Sequence, residues 1–241
     1  MIIGARTGAW AKSGSPTPAV YGGLCFTAEA DNSSVQLTAV GSAPTVTLVN
    51  SFDGVNWEAY AVGEVIDLPS TGDCVYLAAG EGGNETFGLS SAKYHKFVIN
   101  GLVAASGDIT SIRRFDLEQT TLAVNCYNNM FEGCTGLTSA PELPATTLDN
   151  FCYAYMFRGC TGLTSAPELP ATTLVRNCYL YIFEGCTNLS LIKVHFTTWK
   201  APTSNWVSNI KSTGTFYKPT ALPEEFGTNK IPIGWTVVNI D

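Results

Sequence analysis

The sequence predicts an α+β protein in which a β-sandwich precedes a short solenoid of repeated coils. The first half carries short runs of alternating apolar and polar residues separated by turn residues, which is typical of strands. The second half contains a segment that occurs twice almost unchanged, and self-similarity at this period is typical of solenoids. We expect an extended anchoring arm over residues 1–20, a sandwich over 21–105, the solenoid over 106–194 and a capping segment over 195–241.

The composition excludes several classes of protein. Apolar residues make up 45% of the chain and charged residues 14%, which favours a turn-rich β or repeat protein over a helical bundle. The net charge is −7 and the densest basic spot is the pair Arg113–Arg114. A phosphate backbone requires clustered basic residues, so we expect no nucleic-acid partner. No apolar run approaches the roughly 18 residues of a membrane span, so we expect no membrane insertion.

The sandwich is predicted from alternation. Apolar and polar residues alternate over 35–40 and 45–51, and Asp53–Gly54 between two such runs is a hairpin signal because glycine supplies a positive φ. Further short strands are expected at Glu64–Leu68, Cys74–Ala78 and Lys93–Ile99. Six or seven short strands at near-regular spacing predict an immunoglobulin-like sandwich.

The first twenty residues differ in composition from the predicted sandwich. They combine Gly, Ser and Pro with the isolated apolar side chains of Ile2, Ile3 and Trp10. Such a segment buries little surface on its own, so we expect it to order against a partner, with those three side chains as anchors. It also lacks the uninterrupted apolar stretch of a signal peptide, which predicts that the chain is not exported by the general route.

The repeat has a 26-residue offset. Residues 130–148 spell MFEGCTGLTSAPELPATTL, and residues 156–174 spell MFRGCTGLTSAPELPATTL. The same grid carries three sets of equivalent residues: Leu122, Leu148 and Leu174; Cys126, Cys152 and Cys178; Cys134, Cys160 and Cys186. A degenerate copy precedes these segments at 115–122, and a decayed one lies after them at 189–194.

Each copy is predicted to form one coil. Within Thr147–Gly159, a threonine supplies an N-cap and Gly159 a left-handed C-terminal residue, so we expect a short helix. Its apolar stripe consists of Leu148, Cys152, Met156 and Phe157. A short extended stretch and a Pro-bounded return complete the coil. Burying four or five side chains stabilises one coil by ~1.5–3 kcal/mol for each side chain. The conformational entropy lost on ordering the copy costs ~1.5 kcal/mol per residue, which is more in total. A single coil therefore cannot fold alone, and the coils must stack.

At these residues the chain resembles the BspA-like leucine-rich-repeat family. The pattern LxxxCYxxMFxGCTxLTSAPELPATTL at this spacing carries the resemblance, which covers residues 90–241 well and 20–90 loosely. It implies a leucine-rich-repeat solenoid. Members of the family occur on surfaces of gut anaerobes, as adhesins or ligand-binding proteins, and in phages that infect such bacteria.

The resemblance and the missing leader together imply a non-enzymatic phage virion protein, such as a head fibre, a capsid decoration or a tail-associated adhesin. We expect it to be made in the host cytoplasm, to contact other virion proteins through the arm, to form a homo-oligomer and to present the repeat surface to a glycan or protein receptor. The alternative is a cell-surface adhesin of a gut anaerobe. An enzyme is the third class, and no catalytic motif favours it.

Two tyrosine ladders are the candidate ligand-facing residues. One consists of Tyr127, Tyr153 and Tyr179, and the other of Tyr155 and Tyr181. Both flank the predicted apolar stripe, so core packing and an aromatic strip for glycans are both open. Trp199, Trp206 and Trp235 are expected to plug the last coil.

The remaining reactive side chains predict neither a metal nor a cofactor site. The six repeat cysteines lack close C-x₂-C spacing, so we expect ladders of buried thiols. Cys25 and Cys74 could pair across the sandwich, although a chain without an export signal disfavours oxidation. His95 and His195 are expected to be ordinary strand residues. Glu142 and Glu168, equivalent residues of the two copies, are expected to form a solvated ladder.

Overall fold

The computed structural model describes residues 23–114, 120–199 and 203–240. Nine strands occupy the first of these ranges: β1 (Cys25–Ala28), β2 (Ser33–Val40), β3 (Leu48–Ser51), β4 (Glu58–Tyr60), β5 (Val65–Leu68), β6 (Cys74–Ala79), β7 (Gly88–Ser90), β8 (Lys93–Asn100) and β9 (Val103–Ser106). The later ranges contain β10 (Leu137–Ser139), β11 (Leu191–Lys193), β12 (Thr215–Lys218) and β13 (Thr236–Asn239).

The N-terminal strands form two sheets. One has the order β10-β9-β1-β6-β3-β4 and the other β5-β2-β8-β7. Phe26 of β1 and Phe97 of β8 meet edge to face with ring centroids 4.9 Å apart, so the sheets share one core. The strands predicted from alternation are confirmed, and so is the hairpin between β3 and β4. There the Asp53 carboxylate accepts the backbone N–H groups of Val55 and Asn56, and Gly54 has φ 72°.

The predicted α+β class, with helical coils in a leucine-rich-repeat solenoid, is wrong. The described residues contain no α-helix and only one 3₁₀ helix, Ile109–Ile112. Thr147–Gly159, predicted as a helix, begins with an isolated β-bridge at Thr147 and continues over residues 150–159 as consecutive turns, in which Phe151, Tyr155 and Gly159 have φ of 58°, 60° and 73°. A left-handed residue at every fourth position is incompatible with a right-handed helix. Correspondingly, none of the described segments is a helix long and apolar enough to cross a membrane.

Backbone hydrogen bonds in these turns alternate between two kinds of partner. Tyr153 and Tyr155 donate their N–H groups to the carbonyls of Cys178 and Leu180 in the following copy, at 3.1 and 2.8 Å. The residues that alternate with them donate their N–H groups to the carbonyl three residues earlier in their own copy, as Met156 does to Tyr153. The turns therefore satisfy their buried backbone groups and link each copy to the next.

Stacked copies line up their side chains in columns. One aromatic column begins on β8 and contains Phe97, Phe131, Phe157 and Phe183, with successive ring centroids 5.0–5.9 Å apart. A second column contains Phe87, Tyr127, Tyr153 and Tyr179. We call this body, residues 122–194, the repeat stack. Because both columns start on N-terminal side chains, the repeat stack continues the core of the two sheets.

The C-terminal segment closes the far end of the repeat stack. Trp206 is fully buried and lies 6.4 Å from Phe183, at the end of the first column. Trp235 is also buried, while Trp199 is half-buried. The predicted plug is therefore confirmed for Trp206 and Trp235. β11, at the end of the repeat stack, pairs with β12 of the C-terminal segment, and β12 pairs with β13 to complete a parallel three-stranded sheet.

The six repeat cysteines are buried, as predicted, and all are free thiols. The set that comes after the glycines also makes directional contacts. Cys134, Cys160 and Cys186 each donate the thiol to the carbonyl of Phe97, Phe131 and Phe157, respectively, at 3.0–3.2 Å. Burial raises the pKa of Cys134 and of Cys186 to about 12, so these thiols stay protonated at neutral pH.

Candidate functional site

The best candidate for a recognition surface lies on the turn side of the repeat stack. We call it the turn-side strip and define it as Glu132, Tyr155, Arg158, Tyr181 and Glu184. Its two tyrosines occupy left-handed turn positions, which turn their side chains outward between buried neighbours. The strip is held rigidly because the N–H of Tyr155 donates to the Leu180 carbonyl of the next copy and the N–H of Tyr181 donates to the Ser204 carbonyl of the C-terminal segment.

The first predicted tyrosine ladder does not belong to this surface. Tyr127, Tyr153 and Tyr179 are at most 1% exposed, and their rings stack on one another inside the repeat stack. Burial raises the pKa of all three hydroxyls well above the usual value. The ligand-facing alternative is therefore wrong for these residues, and core packing is correct.

The second ladder lies at the surface, with both faces of the Tyr155 ring and one face of the Tyr181 ring covered. Tyr155 and Tyr181 are half-buried and stack with centroids 5.2 Å apart and planes inclined by 15°. The Arg158 guanidinium lies over the Tyr155 ring at 5.1 Å, and Asn205 donates its side-chain amide to the Tyr181 hydroxyl at 3.1 Å. A sugar that stacks on an aromatic residue needs an open ring face. This pair instead offers its edges and hydroxyls, which suit hydrogen bonding.

Charge alternates along the strip. The Arg158 guanidinium lies 2.5 Å from a Glu132 carboxylate oxygen, with the two side chains 42% and 17% exposed. Asn129 donates to the other Glu132 oxygen at 2.6 Å. Glu184 holds the equivalent position in the third copy and lies close enough to contribute to the raised pKa of Tyr155, which is caused mainly by burial. The order is therefore acid, base, acid.

This position is also where the two near-identical copies differ. Residues 130–148 and 156–174 match throughout except that Glu132 is replaced by Arg158. Like charges directly opposite one another on neighbouring strands are destabilising. The single change of sequence between the copies thus converts a repulsive contact into an ion pair. This signal is present in the sequence, but its meaning depends on knowing which residues face each other.

A second polar cluster lies on the strand side of the repeat stack. A Glu168 carboxylate oxygen is 2.9 Å from Lys193 Nζ and 2.5 Å from His195 Nε2. The hydrogen bond from Lys193 is the main cause of the lowered pKa of Glu168. Glu142 and Glu168 are both exposed, as predicted. His195, expected to be an ordinary strand residue, contacts a carboxylate from the preceding copy, because Glu168 lies 27 residues earlier in the chain.

The other predicted residues lie away from the turn-side strip. His95 is 2% exposed and its Nδ1 lies 3.2 Å from the Phe87 carbonyl oxygen. The anchoring residues Ile2, Ile3 and Trp10 lie outside the described residues. Within the three described ranges, no group of three or more His, Cys, Asp or Glu side chains comes together to hold a metal ion. Comparisons with protein-family models, curated proteins and solved structures give no match to this chain.

Proposed function

We propose that this chain is a non-enzymatic structural and attachment protein of a phage particle: a head fibre, a capsid decoration or a tail-associated protein. The observation that carries the proposal is the unbroken ladder of hydrogen bonds from the N-terminal sheets to the C-terminal plug. Each phenylalanine of the first aromatic column donates its backbone N–H to a backbone carbonyl one step further along the stack. The pairs are Phe97 to Met130, Phe131 to Met156, Phe157 to Ile182 and Phe183 to Trp206. A body linked this way is stiff along its length, which suits a projection.

The turn-side strip supplies the recognition part of the proposal. Its side chains contact each other at regular intervals rather than lining a closed cleft, so they suit an extended, polar partner. Phenol edges, a carboxylate and a guanidinium all hydrogen-bond to hydroxyl groups. We therefore favour a surface glycan, or a protein receptor with a polar face, over an apolar ligand.

The proposed location and partners rest on the sequence. The resemblance of the repeat to the BspA-like family supports a virion protein made in the host cytoplasm. The arm over residues 1–20 would contact other virion proteins, and several copies of the chain would assemble as a homo-oligomer. The alternative, a cell-surface adhesin of a gut anaerobe, is favoured by the same resemblance.

A fractionation experiment separates these two functions. An antiserum against the purified chain is used to follow the protein through a density gradient of a lysed culture of the encoding organism. We expect it to band with DNA-containing particles. Recovery in the washed envelope fraction of intact cells, with none in the particle band, would replace the virion assignment by the adhesin.

A second experiment tests the strip. Tyr155→Phe together with Tyr181→Phe removes both surface hydroxyls and keeps the stacked rings. We expect binding of the purified protein to intact host cells to fall about tenfold, since two neutral hydrogen bonds contribute ~1 kcal/mol or less each. Tyr153→Phe is the matched control, because its hydroxyl is buried and has no hydrogen-bond partner among the described residues. Equal binding by the double variant and the control would exclude the strip as the receptor site.

A further inference from the structure

Two cysteines outside the repeat stack lie beside each other on one sheet. Cys25 is on β1 and Cys74 is on β6, and these strands are antiparallel neighbours in which Thr27 pairs with Cys74 and Cys25 with Tyr76. The two cysteines are therefore diagonal neighbours on the same face. Both thiols are free, and because both strands belong to a single sheet, a bond between them would not cross the sandwich.

The two thiols lie close to each other. Burial raises the pKa of the Cys25 thiol, and the neighbouring Cys74 thiol adds to this rise. The Cys25 Sγ also lies 3.9 Å from the Thr27 hydroxyl oxygen. Phe26, between Cys25 and Thr27, points into the core against Phe97, so the cysteines lie on the outer face of the sheet. Diagonal positions in antiparallel sheets average ~7–8 Å apart, slightly more than a relaxed disulfide spans, so closing the bond requires β1 and β6 to shift locally and leaves the bond strained. A bond formed here would consequently be easy to reduce.

The two thiols differ in access. Cys25 is 8% exposed, and burial is the main cause of its raised pKa. Cys74 is half-buried and lines an open cleft of about 410 Å³. The cleft also contains Asp67 and Asp73 and the exposed ring of Phe52. Its carboxylates disfavour an anionic reagent and attract a cationic one.

We propose that Cys25 and Cys74 form a reversible intrachain disulfide by exchange with a small cationic disulfide that enters this cleft through the Cys74 side. The Cys74 thiolate attacks one sulfur of the reagent, which forms a mixed disulfide and releases the first reagent thiolate. The Cys25 thiolate then attacks Cys74 Sγ and releases the second. The two protein thiols lose two electrons and two protons, and the reagent disulfide gains both to become two thiols.

This thiol–disulfide reaction is separate from the attachment function proposed above and does not depend on it. Closing the bond would staple β1 to β6 at the centre of the six-stranded sheet. The six thiols of the repeat stack would not take part, because they are buried and their pKa values are raised by burial.

The test uses the reduced full-length chain and cystamine, with oxidised glutathione as the anionic comparison. Peptide mapping by mass spectrometry is expected to find a Cys25–Cys74 cross-link and six unmodified repeat thiols, with dithiothreitol reversing the change. We expect cystamine to react about tenfold faster than oxidised glutathione, and Asp67→Asn to reduce this preference. Stable adducts on Cys74 while Cys25 stays free, or no reaction at Cys74, would overturn the proposal.

Two single variants establish the order of attack. Cys25→Ser should trap the mixed disulfide as a cysteamine adduct on Cys74. Cys74→Ser should leave Cys25 reacting at least about tenfold more slowly than Cys74 does in the first variant. Equal rates in the two variants would show that the cleft does not select the first thiol, and so would contradict the proposed route.

Discussion

Arg158 reaches back one copy to Glu132, and its guanidinium lies 2.5 Å from the carboxylate at the one position where the two near-identical segments differ. Glu184 occupies the same place in the third copy. A cation between two anions is therefore part of how the copies fit together. It also makes the contribution of charge to stacking measurable with single substitutions.

Replacing the cation should weaken the stack in a salt-dependent way. In Arg158→Glu, three carboxylates would lie in a row, and we expect the free energy of unfolding to fall by ~0.5–1 kcal/mol. Urea unfolding at low and at high ionic strength measures the effect, which should shrink as salt screens the repulsion. Arg158→Gln is the control, since it removes the ion pair without adding a charge. A loss that is the same in high salt would show that the guanidinium acts through packing on Tyr155.

The left-handed turn positions should be selective for residue type. Asn177 has φ 56°, a conformation that asparagine and glycine tolerate and that β-branched residues do not. Asn177→Val should reduce the free energy of unfolding by ~1–2 kcal/mol, whereas Asn177→Gly should stay within a few tenths of wild type. The neighbouring exposed residue supplies the control, because Arg176→Val does not place valine at a positive φ. Equal losses for both valine variants would contradict the turn assignment.

The leucine ladder should be essential to folding. Leu148 is 7% exposed and belongs to the common core. Leu148→Asp places a charge there without a partner, which costs several kcal/mol, so we expect thermal melting followed by circular dichroism to lose its cooperative transition. Thr147→Asp adds the same charge at an exposed position and should melt close to wild type. Wild-type melting of the Leu148 variant would mean that the side chain is not buried.

His95 should make stability depend on pH. Burial lowers its pKa below the ordinary 6.5, so the folded protein keeps the ring neutral while the unfolded chain binds a proton. The stabilisation is present above pH 6.5 and is lost as the pH falls below that value. Urea unfolding between about pH 7.5 and about pH 5.5 should therefore show a decline that is shallower in His95→Asn. Equal slopes for both proteins would assign the decline to carboxylates instead.

Local alternation predicts most of the strands. In β8, Lys93–Asn100, buried and half-buried side chains alternate over residues 95–98, and the predicted strand ends one residue short of the observed one. The Asp53–Gly54 turn is recognisable because glycine and aspartate satisfy a specific backbone geometry. These signals are short-range, so they can be recognised in sequence without knowing the partner strand.

The turn structure of the repeat cannot be recognised in the same way. Cys152 and Met156 recur at a spacing of four, which fits a helix of 3.6 residues per turn as well as a turn that repeats every fourth residue. The signal that separates them is the asparagine at positions such as 125, 129 and 177, but the equivalent positions 151, 155 and 181 hold aromatic residues. Hydrogen bonds to the next copy hold these aromatic residues at positive φ, and that is a tertiary effect.

The site is predictable only in outline. Sequence reasoning singles out Tyr155 and Tyr181 as candidates, but their outward position depends on the left-handed backbone rather than on a helical wheel. The Glu168 contacts with Lys193 and His195 bring together residues from neighbouring copies. They become visible only when the stacking offset between those copies is known.

The alternation of charge on the turn side also limits how a chain of this kind can change length. Loss of the copy that carries Arg158 would bring Glu132 against Glu184, and duplication of that copy would set one arginine against another. Only the gain or loss of two copies at once preserves the sequence of signs. Parity, rather than the 26-residue period alone, would then decide which insertions and deletions leave the molecule intact.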